Sequence, residues 1–128
     1  MIEANRMSAT TDEEKAAKAE ALRQANRGAT LVPLEVLERT LPVFDLARAA
    51  AEKGNPNSLS DAGVGGLCLM AAAEAAYYNV LINLNGIEGD QKWVSETRTR
   101  ANLALRTAEE KASELRELVR GKLQHAGS

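Results

Sequence analysis

The chain is poor in the residues that most often carry chemistry or fix a fold covalently. Cys68 is the one cysteine among 128 residues, which excludes a disulfide framework. His125 is the one histidine, and with a single thiol it cannot assemble a zinc site of the usual kind, so no metal is expected. Aromatic residues make up 3%, whereas a sheet would draw on aromatic and β-branched side chains. No glycine-rich turn followed by Lys-Ser/Thr is present, so a nucleotide phosphate loop is excluded. The formal net charge of −2 leaves no basic footprint for nucleic acid. No signal-peptide pattern opens the sequence, which together with the scarce thiols predicts a cytoplasmic protein.

Alanine is abundant, with 23 copies, and apolar residues reach 45% against 27% charged. That balance is globular, and the length suits one domain over residues 1–128. Alanine is the strongest helix former, so the predicted class is all-α: an antiparallel helical bundle of about four helices.

Thr11-x-x-Glu14 has the form of a capping box, and the alanine-rich run behind it predicts a helix that stops at Gly28. A second helix is predicted from Pro33, followed by Leu34, Leu37, Leu41 and Phe44 at helical spacing. Pro42 lies inside that stripe and predicts a kink or a division into two shorter helices before Gly54. Residues 54–61 read as a turn-rich connector. The third helix, from about Asp61 to Leu84, is the most apolar segment and is expected to be buried. Gly63, Gly65 and Gly66 within it argue for close backbone approach by a neighbour. Its length would permit a membrane span, but Glu74, Asn79 and Asn83 would then lie in hydrocarbon, so no membrane is expected. A fourth helix from about Asp90 to Leu123 carries an apolar stripe through Val94, Ala101, Ala108 and Leu115. The end from His125 to Ser128 reads as frayed.

Two segments are distinctive in combination: Gly54-Asn55-Pro56-Asn57-Ser58-Leu59-Ser60-Asp61-Ala62-Gly63-Val64 and Asn79-Val80-Leu81-Ile82-Asn83-Leu84. With Thr11-Asp12-Glu13-Glu14-Lys15 and Val32-Pro33-Leu34-Glu35, they resemble the cyclodeaminase/cyclohydrolase family of folate enzymes. The resemblance implies an all-helical fold and a homodimer or larger homo-oligomer. It implies a reduced folate as partner and substrate, a tetrahydrofolate derivative, with no covalently bound cofactor. The reaction implied is either hydrolysis of 5,10-methenyltetrahydrofolate to 10-formyltetrahydrofolate or elimination of ammonia from 5-formiminotetrahydrofolate. Both pass through a carbon flanked by two nitrogens that share a positive charge, which a positioned carboxylate can stabilise. Family members carry a further N-terminal stretch with an aspartate regarded as catalytic, and that position falls before Met1. The resemblance therefore assigns no catalytic residue here: the chain is expected to be either a piece of a longer protein or a remnant lacking the chemistry, and alone to expose apolar surface and self-associate. The competing expectation is a non-catalytic helical module that dimerises or completes a partner chain.

Five residues are candidates for substrate binding, each with a plainer role beside it. Asn55 and Asn57 flank Pro56, where Asx-turns suffice to explain them. Asp61 opens a helix, where a carboxylate complements the dipole. Asn79 and Asn83 share one face of an apolar helix, and their amides suit either a pterin ring or a neighbouring backbone. Glu74 is expected to pair with an arginine of the fourth helix, Cys68 to sit in the core, and Tyr77 and Tyr78 to pack with their hydroxyls at the rim. Arg98, Arg100 and Arg106 read as a solvated charged face.

Overall fold

A computed structural model describes residues 2–125. A one-turn helix α1 (Ile2–Asn5) precedes α2 (Asp12–Lys53), α3 (Leu59–Asn85) and α4 (Gln91–His125). A short 3-10 turn, Pro56–Ser58, leads into α3, and no strand occurs among the described residues. The all-α class is as predicted, and α1 is an addition whose Ala4 is buried. Of the predicted frayed end, Ala126, Gly127 and Ser128 lie outside the described residues.

Thr11 starts α2 as its motif requires. Its hydroxyl accepts the Glu14 N–H at 3.0 Å, and the Glu14 carboxylate accepts the Thr11 N–H at 3.3 Å. The predicted stop at Gly28 and the separate helix from Pro33 are not what forms: α2 runs unbroken for 42 residues through Gly28, Pro33 and Pro42. Glycine ends a helix by adopting positive φ, and among the described residues only Gly89 does so. Pro33 has no N–H, so the Ala29 carbonyl one turn earlier loses its intrahelical donor. The Asn83 amide of α3 supplies the substitute, donating to Ala29 O at 3.0 Å. A tertiary hydrogen bond thus carries the helix past a residue that would end it alone.

Three heptad-spaced series build the core. Thr30, Leu37, Phe44 and Ala51 are buried on α2; Leu59, Gly66, Ala73 and Val80 on α3; Ala101, Ala108 and Leu115 on α4. A seven-residue apolar repeat favours shallow left-handed packing of long helices. The contacts fix the directions: α3 runs antiparallel to both others, with Asn83 beside Ala29 and Gly66 beside Leu115. Then α2 and α4 run parallel, joined in order by Arg27–Asp90, Glu38–Arg100 and Asp45–Lys111. The Arg27 guanidinium also lies 5.1 Å from the Trp93 ring centroid, a cation–π contact at the start of α4.

Gly63 and Gly66 explain why α4 comes so near. A Cβ on Gly63 would meet Val119 Cγ1 at 2.8 Å, and one on Gly66 would meet Leu115 Cδ2 at 2.4 Å. Gly65 departs from expectation, with nothing within 4 Å of its Cβ position. The expectation of a buried third helix holds for one face only. Its inner face is closed by α2 and α4, while Val64, Leu67, Tyr78 and Ile82 are exposed. Cys68 is likewise exposed rather than in the core, because the heptad face that points inward is 59, 66, 73 and 80. Glu74 accepts a hydrogen bond from Tyr78 Oη at 2.7 Å instead of an arginine of α4. The segment Pro56–Asn85 remains long and apolar enough to cross a bilayer by length and composition.

Candidate functional site

The five candidate residues separate into two groups along α3. Asp61 and Asn79 are about 27 Å apart at a rise of 1.5 Å per residue, so one small ligand cannot touch both ends within a single chain.

At the N-terminal end, Asn55 Oδ1 accepts the Asn57 N–H at 2.9 Å, the Asx-turn that opens the 3-10 turn. Asn57 is exposed, and Asp61 is exposed in the first turn of α3. A carboxylate there complements the helix dipole. This group shapes a turn and a helix start.

At the other end the structure forms a cavity of about 440 Å³ between α2 and α3. Val32, Pro33 and Val36 form one wall, and Ala72, Ala75 and Ala76 form the other. Asn79 and Asn83 supply its polar edge. The i, i+4 spacing brings both amides to the same rim, as the sequence predicts. Their availability differs. Asn83 Nδ2 is committed to Ala29 O, which leaves Oδ1 for a ligand. Asn79 is exposed. The small alanines on α3 let the wall recede, and Pro33 contributes an apolar ring. Val32, Pro33 and Val36 are not among the five candidates. No signal in the sequence pointed to them, because a helix read as starting at Pro33 leaves no carbonyl short of a donor and so no reason to bring Asn83 to this turn.

Charged side chains sit elsewhere. Arg100 donates from Nε and Nη2 to both Glu38 oxygens at 2.7 and 2.6 Å, which raises its pKa further. It bridges helices rather than forming part of a merely solvated face, while Arg98 reaches Asn85 Oδ1 at 3.3 Å. Tyr77 donates to Asn102 Oδ1 at 2.6 Å, a rim position as expected. Among the described residues no cluster of three or more His, Cys, Asp or Glu could hold a metal ion.

Comparison with known sequences gives this arrangement a lineage. The sequence is 46% identical over 78 residues to a methenyltetrahydrofolate cyclohydrolase of Methylorubrum extorquens, covering 61% of this chain and 38% of that protein. It is 32% identical over 123 residues to a formimidoyltransferase-cyclodeaminase of Mus musculus, covering 96% of this chain and 22% of that one. A Rattus norvegicus formimidoyltransferase-cyclodeaminase is 33% identical over 114 residues, with 89% and 20% covered. The chain therefore spans well under half the length of these relatives. A sequence model for formiminotransferase-cyclodeaminase matches residues 1–103, which takes in α1 to α3 and the start of α4. The chain belongs to the formiminotransferase-cyclodeaminase family.

Proposed function

We propose that the chain is a domain of folate one-carbon metabolism that binds a reduced folate in the cavity between α2 and α3. The cavity at Asn79 carries this reading: it is apolar, with a short polar edge on one side. A flat pterin with donors and acceptors along one side suits such a wall. The 46% identity to a methenyltetrahydrofolate cyclohydrolase favours the methenyl form over the formimino form as ligand. Its bridging carbon shares positive charge with two nitrogens, and amide oxygens of Asn79 and Asn83 would turn their negative ends toward it. No carboxylate lines the cavity, which favours binding without turnover by the chain on its own. Asn55, Asn57 and Asp61 are left out of the pterin site, and a second copy is the remaining way for them to reach ligand.

The second element of the proposal is self-association. Val32 and Val36 on α2 are 65% and 48% exposed, and Ile82 beside Asn83 is 67% exposed, so apolar surface surrounds the cavity mouth. The reading is of a homo-oligomer in the cytoplasm that covers this surface, with neither membrane nor nucleic acid as partner; the packing of the inner face of α3 and the near-neutral charge support it.

Titrating the chain with 5,10-methenyltetrahydrofolate and reading the chromophore by difference absorbance tests the folate reading. Saturable binding is expected, with no hydrolysis above the buffer rate. Asn79→Ala is expected to weaken binding about tenfold, the loss of one well-made hydrogen bond. An unchanged affinity in that variant, or no saturable binding by the parent chain, would overturn it.

A further inference from the structure

A second groove lies at the opposite end of α3 from the folate cavity and is independent of the reading given to that cavity. It has a volume of about 270 Å³ and is almost wholly apolar. Gly63 and Gly66 form its floor with Leu115 and Val119 of α4. Its lips are Val64 and Leu67, each 58% exposed, and Leu123, 48% exposed. Arg116 and Arg120 stand along one side.

The arrangement repeats a device that α4 uses on its other flank. There an apolar seam is bordered by basic side chains, and each meets a group on α2. Arg100 meets Glu38, Lys111 meets Asp45 at 2.6 Å, and Lys122 donates to the Ala51 carbonyl at 2.8 Å. Beside the groove the apolar seam and the basic border recur, but Arg116 and Arg120 have no acidic partner among the described residues. A helix spaced as α2 is, with acids beside its seam, is what that flank lacks.

We propose that the groove between the first half of α3 and the last half of α4 docks an amphipathic helix of a partner polypeptide that carries acidic residues beside its apolar seam. Dimensions favour a helix over a thin ligand. The stretch Ser60–Met70 is about 15 Å long, or nearly three turns, at 1.5 Å per residue. An alkyl chain lying on the floor would leave Val64, Leu67 and Leu123 in water, whereas a helix about 10 Å across covers all three lips. Docking would turn three long helices into four, the packing in which a bundle of this kind closes. The acids opposite Arg116 and Arg120 would set the register of the helix and favour its association over neutral or basic competitors.

The test uses the full chain and two fluorescent synthetic helices, each with leucine at heptad a and d positions. One carries glutamate at e and g, and the other carries lysine there. Anisotropy is expected to show the glutamate helix binding at least tenfold tighter than the lysine helix. The double variant Arg116→Glu/Arg120→Glu, at exposed positions where folding is unaffected, is expected to reverse that order. Leu67→Glu is expected to abolish binding of both helices while circular dichroism stays helical. Equal affinities for the two helices, an order unchanged by the charge reversal, or no binding of the glutamate helix would overturn the proposal. Dissociation of a self-associated chain by the double variant would also overturn it, by making a second copy the occupant.

Discussion

Asn83 shows how much one side chain can do in a bundle with few polar residues. Its amide replaces the hydrogen bond that Pro33 removes from Ala29, so the helix and its proline are compatible only because α3 is docked. Asn83→Ala leaves a part-buried carbonyl without a donor and is expected to cost about 1–3 kcal/mol in urea unfolding. Pro33→Ala restores the backbone donor, so Asn83→Ala made in that background is expected to cost less than in the parent chain. Equal costs in both backgrounds would separate the two residues energetically. Glu14 offers a second test at this scale. Hydrogen bonds from the Thr10 hydroxyl, then from the Thr10 and Thr11 amides, hold its carboxyl at about 2, well below its ordinary 4.5. Its contribution is therefore present above about pH 4.5 and is lost as pH falls through 2. The Thr10 and Thr11 amide resonances are expected to titrate in that window, and Glu14→Gln is expected to remove the titration. Persistence of the same shift in Glu14→Gln would assign it to another group.

At the scale of the element, the three glycines near the start of α3 have different roles despite their proximity. Gly65 faces open space, so Gly65→Ala is expected to stabilise by about 1 kcal/mol through helix propensity. Gly63→Ala must displace Val119 Cγ1, a stiff β-branched side chain, and Gly66→Ala must displace the buried Leu115. Both are expected to lower the melting temperature while Gly65→Ala raises it; thermal unfolding of the three variants checks the order. The capping box at Thr11 and the turn at Asn55 were legible in the sequence because each is a local signal, whereas of the three glycines read as points of close approach only Gly63 and Gly66 are so. The apolar stripe of α4 was legible too, since its period is set by residues within one helix. The continuity of α2 was not legible, since Gly28, Pro33 and Pro42 are all local breakers, and at Pro33 the missing donor comes from a side chain 54 residues away. Asn79 and Asn83 were legible as a pair, but the wall opposite them belongs to another helix. Cys68 was misplaced for a related reason. Its neighbours Leu67 and Leu69 are apolar, yet composition does not say which face of a uniformly apolar helix turns inward.

At the scale of the whole molecule, the surface and the core are unusually alike. The core joins large side chains such as Leu34, Leu37, Phe44, Leu84 and Leu115 to small residues such as Gly66, Ala73, Ala101 and Ala108 at the helix contacts, yet many large apolar side chains remain outside it. Leu31, Val32, Val36, Val43 and Leu46 on α2 are 42–69% exposed, as are Tyr78 and Ile82 on α3 at 58% and 67%. Each side chain of this size contributes about 1.5–3 kcal/mol when fully withdrawn from water, so covering several of them can offset the entropy of association. Sedimentation is expected to show a dimer or larger species at micromolar concentration, with the equilibrium shifted further toward association by sulfate. Val43→Glu and Leu46→Glu place charges on the exposed face of α2 outside the lining of the folate cavity and are expected to yield a monomer that remains helical. Such a monomer also separates the two parts of the functional reading. If methenyltetrahydrofolate still binds it with parental affinity, the cavity is complete within one chain. If binding falls in step with association, the Asn55–Asp61 end of a second copy is the natural contributor, since nothing within one protomer brings it near Asn79. A parent chain that sediments as a monomer throughout would remove self-association from the account and leave the exposed face of α2 to a different polypeptide.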